Sequence, residues 1–185
     1  MENYSVNDLA MDKQVYVFEL DDVLFPRKDY ILQVYYLFAN FYEFTEGTVK
    51  SADMVQLMKK VYDIHGEDQV FPTLQALYGV QDKYVENFER LKANAQLPLR
   101  LELFQDVLIK LEELFSKGKN VAILTKVNPV EQLNKLKFLK WDSVEKYKDD
   151  IKIYFLDELH FRNINPVEFL AEEFHVAEEQ ICLVC

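Results

Sequence analysis

No apolar run in this sequence approaches the roughly 20 residues that a membrane span needs. No stretch is rich in Lys or Arg either, and the formal net charge is −11. These absences argue against membranes, anionic surfaces and nucleic acid as partners. The polar opening, Met1 to Lys13, lacks the apolar run of a signal peptide, so the expectation is a cytoplasmic protein. There is no internal repeat and no low-complexity segment. Cysteine is scarce, with only Cys182 and Cys185 present. Two ligands cannot complete a four-coordinate zinc site. A redox C-x-x-C needs a helix N-terminus to lower its thiol pKa, and here the sequence stops instead. Ile181-Cys-Leu-Val-Cys185 therefore reads as a buried strand with two reduced thiols. The three histidines, His65, His160 and His175, have no metal-ligand spacing and read as surface or helix-end residues.

What is present is apolar and aromatic. Half of the 185 residues are hydrophobic, with 14 Phe and 11 Tyr. That suffices for one α/β domain with a small inserted subdomain. Val15-Tyr-Val-Phe-Glu-Leu20 has the β-branched, aromatic character of a buried parallel strand. From Tyr30 to about Gln96 the pattern is helical. Ile31, Val34, Tyr35, Phe38, Phe41 and Tyr42 recur at helical spacing, as do Met54, Leu57, Met58 and Val61. Gln81 to Ala95 is a further amphipathic helix. The aromatic stripe from Tyr30 to Phe44 reads as core. After Pro98, strands alternate with helices. A helix through Val107, Leu111 and Leu114 stops at Lys117-Gly118. The strand Val121-Ala-Ile-Leu-Thr125 follows, then a helix through Leu133, Leu136 and Leu139. A third strand, Ile151 to Leu156, comes after the charged loop at Lys146–Asp150. Asn165-Pro166-Val-Glu168 opens a helix with an N-cap and Pro at its first position. The fourth strand is Ile181 to Val184. This alternation implies a Rossmann-like parallel sheet, with a core at residues 1–27 and 98–185 and a helical subdomain at 28–97.

Sites in parallel α/β sheets lie at the C-terminal ends of strands. Glu19, Asp21 and Asp22 follow the first strand, and Thr125 and Lys126 end the second. A carboxylate pair two residues apart can hold Mg²⁺, or serve as nucleophile and acid/base in phosphoryl transfer. Acidic residues at strand ends also commonly just cap loops.

The stretch Val17-Phe-Glu-Leu-Asp-Asp-Val-Leu-Phe25 resembles the first signature of the haloacid dehalogenase-like superfamily: apolar strand, Asp, x, Asp, x, Thr. Val121-Ala-Ile-Leu-Thr125 is similar to the second signature, and the spacing of Gln132 and Lys135 also resembles the family. Arg162-Asn-Ile-Asn-Pro-Val-Glu-Phe169 is similar to the segment that carries the catalytic Lys. Ala177 to Val184 resembles the approach to the fourth signature. The helical block sits where the family has its C1-type cap, so the resemblance implies a Rossmann-like core with an inserted cap. The family's next strand and final helix are missing from the 185 residues.

Carried over by position, Glu19 stands for the nucleophilic Asp, longer by one methylene. A displacement of roughly an ångström can cost about 10²-fold in rate. Asp21 matches the general acid/base, and Thr125 the phosphate-binding hydroxyl. Val23 replaces a Thr, Lys126-Val127 replaces a small Asn-Gly pair, and Asn163 replaces the catalytic Lys. Lys126 or Lys135 could substitute for that cation, although Lys135 is expected on the helix surface. The acidic pair of the fourth signature would follow Cys185. The implied catalytic residues are Glu19, Asp21 and Thr125. The implied substrate contacts are Thr125, Lys126 and Asn163, and the implied Mg²⁺ ligands, a weak set, are Glu19 and Asp21. Without a cation and half of the metal ligands, such a centre would repel a phosphate dianion. The expectation is a catalytically degenerate member. The alternative is an active Mg²⁺-dependent phosphatase on a small phosphorylated metabolite. The strand Ile181 to Cys185 is expected to be an uncharged sheet edge, which favours a homodimer.

Overall fold

The computed structural model describes residue 6 and residues 9–185; residues 1–5, 7 and 8 of the polar opening lie outside the described residues. The chain divides into two compact units, Met1–Arg27 with Arg100–Cys185, and Lys28–Leu99.

The first unit is built on four parallel strands, β1 (Val15–Phe18), β3 (Asn120–Thr125), β5 (Lys152–Phe155) and β6 (Ile181–Val184), in the order β5-β3-β1-β6. All four residues of β1 are buried. A central strand covered on both faces needs no polar alternation, which is why it reads as a continuous apolar run. Val15 and Val17 share one face with Ala122 and Leu170, and Leu124, Phe169, Phe174, Ile181 and Leu183 pack around them. Tyr16 turns to the opposite face. Its buried hydroxyl donates to the Ala10 carbonyl at 2.8 Å and accepts from the Lys13 N–H at 3.0 Å.

The connecting helices are α5 (Gln105–Ser116), α6 (Pro129–Phe138), α7 (Leu156–Phe161) and α8 (Pro166–Phe174). Helix α5 buries Val107, Leu111 and Leu114. It ends where Gly118 adopts φ +66°, a left-handed turn that a side chain would strain, and the Lys119 N–H closes onto the Leu114 carbonyl at 3.0 Å. Asn165 caps α8 by accepting from the Val167 N–H at 2.9 Å, with Pro166 at the first position.

Four local expectations change. The first strand pairs only through Phe18, although the Glu19 N–H still reaches the Val184 carbonyl at 2.9 Å. The third strand ends at Phe155 because Leu156 opens α7. Leu139 is not on α6: it is extended and buried in β4 (Leu139–Lys140), which pairs parallel with β2 (Leu101–Glu102). The charged stretch at 146–150 is no open loop but part of a 3₁₀ segment, Asp142–Asp150. Buried Val144 and the stacking of Tyr147 on Phe115, 4.4 Å between centroids, hold it.

The second unit is all helical: α1 (Arg27–Glu46, shared at its first residue), α2 (Ser51–His65), α3 (Val70–Tyr78) and α4 (Val85–Asn94). Phe38 is its hub, meeting Phe88 edge-on at 5.0 Å and Phe71 at 6.1 Å, while Phe71 and Phe88 lie 5.4 Å apart. Such ring pairs add to the large area that each aromatic buries. Most of the stripe is indeed core: Tyr30, Tyr35, Phe38 and Tyr42 are buried, whereas Tyr36 and Phe44 are exposed. No described helix is long and apolar enough to cross a membrane.

Candidate functional site

The C-terminal ends of β1 and β3 bring Glu19 and Thr125 together. The Thr125 hydroxyl, wholly buried, donates to Glu19 Oε1 at 2.5 Å, and the Leu20 N–H donates to the same oxygen at 2.9 Å. The chain then turns. Asp22 takes φ +59°, its N–H meets the Phe25 carbonyl, and its carboxylate accepts from the Arg27 N–H at 2.9 Å, which steadies the start of α1.

Asp21 points to α6. Its Oδ2 accepts from Lys135 Nζ at 2.7 Å and from Gln132 Nε2 at 3.2 Å, with Arg27 Nε 3.6 Å away. Lys135 also pairs with Glu131 Oε1 at 2.7 Å, one turn back, and Gln132 further donates to the Lys126 carbonyl at 2.8 Å. The Lys135 side chain is wholly buried, and those of Glu131 and Asp21 are 6 % and 14 % exposed. The expectation of a surface Lys135 is thus wrong. Helix α6 is inverted. It buries Glu131, Gln132, Asn134 and Lys135, and leaves Val130 and Leu133 about half exposed, at 54 % and 50 %. The buried face follows the polar residues because each charge finds a partner there, and an unpaired charge could not be buried at tolerable cost. The i, i+4 pair Glu131–Lys135 was the available sequence signal; its long-range partner Asp21 left none.

Asn128 caps α6, accepting from the Val130 N–H at 2.9 Å, with Pro129 next. Before it, Val127 is forced to φ +71°. Lys126 is exposed and joins the cluster only through its carbonyl. Asn163 is exposed in the turn after α7, at φ +54°. Among the described residues its side chain bonds to none of Glu19, Asp21 or Thr125. The structure therefore unites Glu19 with Thr125, and Asp21 with Gln132, Lys135, Glu131 and Arg27, but leaves Asn163 outside. Beside the β1 turn lies a cleft of about 280 Å³ that includes Asp22, Asp106, Val184 and Cys185. Its lining charges are carboxylates, the wrong sign for an anion. Strand β6 is less buried than its apolar run suggests, with Cys182 half-buried and Cys185, just past β6, exposed. Desolvation, reinforced by the Glu19 carboxylate, still pushes the Cys185 thiol pKa up, and desolvation does the same to Cys182. Reactive thiols shift the other way, and both cysteines are free.

Mg²⁺, which the resemblance implies, can be tested against these donors. It collects near-octahedral oxygens from carboxylates, waters and phosphates. Here Glu19 Oε1 already holds two donors, and an ammonium sits 2.7 Å from Asp21 Oδ2. Among the described residues no three His, Cys, Asp or Glu side chains gather as a metal site. Asp21 Oδ1 is buried with no hydrogen-bond partner among the described residues, so the donors present make a weak and incomplete set for a resident ion.

No family model matches the sequence, and no curated protein matches it either. Solved structures do match in fold. One is a provisionally assigned beta-phosphoglucomutase from Thermotoga maritima, with TM-score 0.56 and 22 % identity, over 92 % of this chain and 74 % of that one. A second is a provisionally assigned phosphatase from Clostridium difficile, with TM-score 0.52 and 16 % identity, over 94 % and 76 %. A third is a HAD family hydrolase from Deinococcus radiodurans R1 with bound phosphate and sodium, with TM-score 0.50 and 15 % identity, over 92 % and 71 %.

Proposed function

We propose that this chain, whose fold is that of the haloacid dehalogenase-like hydrolases, is catalytically degenerate, and that its former reaction centre now serves as a buried ion-pair core. One observation carries the reading: the groups that would act on a phosphoryl group act on each other. The Thr125 hydroxyl is spent on Glu19, and the Asp21 carboxylate on Lys135 and Gln132. A carboxylate that accepts two hydrogen bonds at one oxygen is a poorer nucleophile. Among the described residues the ion pairs of the cluster join Asp21 and Glu131 to Arg27 and Lys135, so these cations are already neutralised and offer a phosphate dianion little positive field.

The Mg²⁺-dependent phosphatase remains the second reading, and one observation favours it. Lys135 Nζ, 2.7 Å from Asp21, supplies a cation that Asn163 does not. Steady-state hydrolysis of an aryl phosphate, with and without Mg²⁺, separates the two. Negligible turnover is expected; turnover near 1 s⁻¹, well inside the ordinary enzyme range, would overturn degeneracy. In that event both Asp21→Asn and Lys135→Met should abolish it.

We also propose, as a separate matter, that β6, an edge of the four-stranded sheet, pairs with its counterpart in a second copy. Sedimentation of the unaltered protein tests this, since a monomer at high concentration excludes it.

A further inference from the structure

Helix α6 presents two different chemistries. Successive residues turn by about 100°, so while Lys135 faces Asp21, its neighbours Leu136 and Lys137 face elsewhere. They border a hollow of about 670 Å³ with Arg100, Leu139, Lys140, Trp141, Glu145 and Lys148, a size typical of small-molecule sites. Its apolar lining is Leu136, Leu139 and Trp141, the last two buried. Four cations and one carboxylate complete it, in a chain whose net charge is −11.

Part of that charge is already used. Lys140 pairs with Asp142 at 3.2 Å and with Glu102 at 3.4 Å, and Lys148 pairs with Glu145. The rest is not. Among the described residues Lys137 pairs with no carboxylate, and its ammonium lies 5.5 Å from the Phe138 ring centroid. Arg100 donates to the Lys137 carbonyl at 3.0 Å, one use of a fork that carries five N–H donors. Glu145 pushes the Lys148 pKa up, and Arg100 opposes that push, which places the two cations within each other's field. Among the described residues, Arg100 and Lys137 are thus the two lining cations with no carboxylate partner, and an anion set between them would supply one.

We propose that this hollow binds a small organic anion, a phosphate- or carboxylate-type head attached to a planar apolar body. The head would lie between Arg100 and Lys137, and the body against Trp141 and Leu139. The site is independent of any chemistry at Glu19 and Asp21, so it stands whether or not the chain hydrolyses phosphate esters.

Trp141 is the only tryptophan in the sequence, so its emission reports on this hollow alone. The test titrates the full chain with phenylphosphonate, a non-hydrolysable aryl anion, and in parallel with inorganic phosphate and benzyl alcohol. Phenylphosphonate should change the emission saturably, with a Kd of about 1 mM or tighter. Inorganic phosphate should bind more weakly and benzyl alcohol not at all. Lys137→Glu alters an exposed side chain, keeps the melting temperature, and should weaken binding at least about tenfold, which corresponds to about 1.4 kcal/mol. Arg100→Gln should act in the same direction, and Lys59→Glu, on α2, should have no effect. The proposal fails if phenylphosphonate gives neither a saturable emission change nor heat in calorimetry. It fails equally if Lys137→Glu binds as the unaltered protein does, or if benzyl alcohol matches phenylphosphonate.

Discussion

The aromatic cluster around Phe38 in the helical unit and the charged cluster around Asp21 in the core unit both bury most of their side chains, but they are held by different means. Around Phe38 the interior is aromatic and its backbone relaxed: the left-handed positions of that unit are the glycines Gly47, Gly66 and Gly79. Around Asp21 the interior is charged. Every described non-glycine residue at positive φ lies in the core unit: Asp22, Val127, Asp142, Asn163 and His175. Packing that needs only apolar volume can take any low-energy backbone. Of these five, only Asp22 and Val127 flank the charged cluster, whereas Asp142, Asn163 and His175 sit in a 3₁₀ segment, a turn and a helix end elsewhere. Where carboxylates, ammonium and hydroxyl must come into register, the two flanking turns accept local strain.

Phe38→Ala removes the hub of the ring cluster and should cost about 3–5 kcal/mol, within the range for a large buried aromatic. The measurement is the shift of the denaturant midpoint. A loss under about 1 kcal/mol, the size of an ordinary substitution, would mean that the rings are not a packed core.

Lys135→Met tests the charged side. Removing one partner of a buried pair costs about 3–5 kcal/mol. Here the lower end, about 3 kcal/mol, is expected because Arg27 stays within 3.6 Å of Asp21, whose side chain is 14 % exposed. The sharper experiment adds Asp21→Asn. If the cluster is an ion-pair core, the double variant should be more stable than Lys135→Met alone, since one uncompensated carboxylate has gone. Additive losses would show that Lys135 and Asp21 are not coupled.

These two regions also mark what the sequence could disclose. The helical unit was readable because Ile31, Val34, Tyr35 and Phe38 obey a 3.6-residue period, and burial follows it. The sheet was readable from four apolar runs. Glu19, Asp21 and Thr125 were found through their positions at strand ends and through the resemblance. Periodicity pointed the wrong way on α6, where Leu133 is exposed and Lys135 buried. The reason is that its partner lies 114 residues away, and no local pattern encodes such a pairing. The short β2–β4 pairing was missed because two-residue strands are too short for alternation to register.

The smallest effect, and the one of opposite sign, concerns the loop between β3 and α6. Val127 is a β-branched residue held at φ +71°, with its side chain 48 % exposed. A left-handed conformation costs an L-residue about 1–2 kcal/mol. Glycine adopts it without that cost, but brings extra unfolded-state freedom worth about 0.5–1 kcal/mol. Because Val127 is only half buried, little packing is lost on truncation. Val127→Gly should therefore stabilise the protein by up to about 1.5 kcal/mol, the difference between these two terms. For a chain of this size that is a rise of up to about 6 °C in melting temperature. A fall would mean that the Val127 side chain contributes more through contacts than its conformation costs, and the strained character assigned to this end of the sheet would then rest on Asp22 alone.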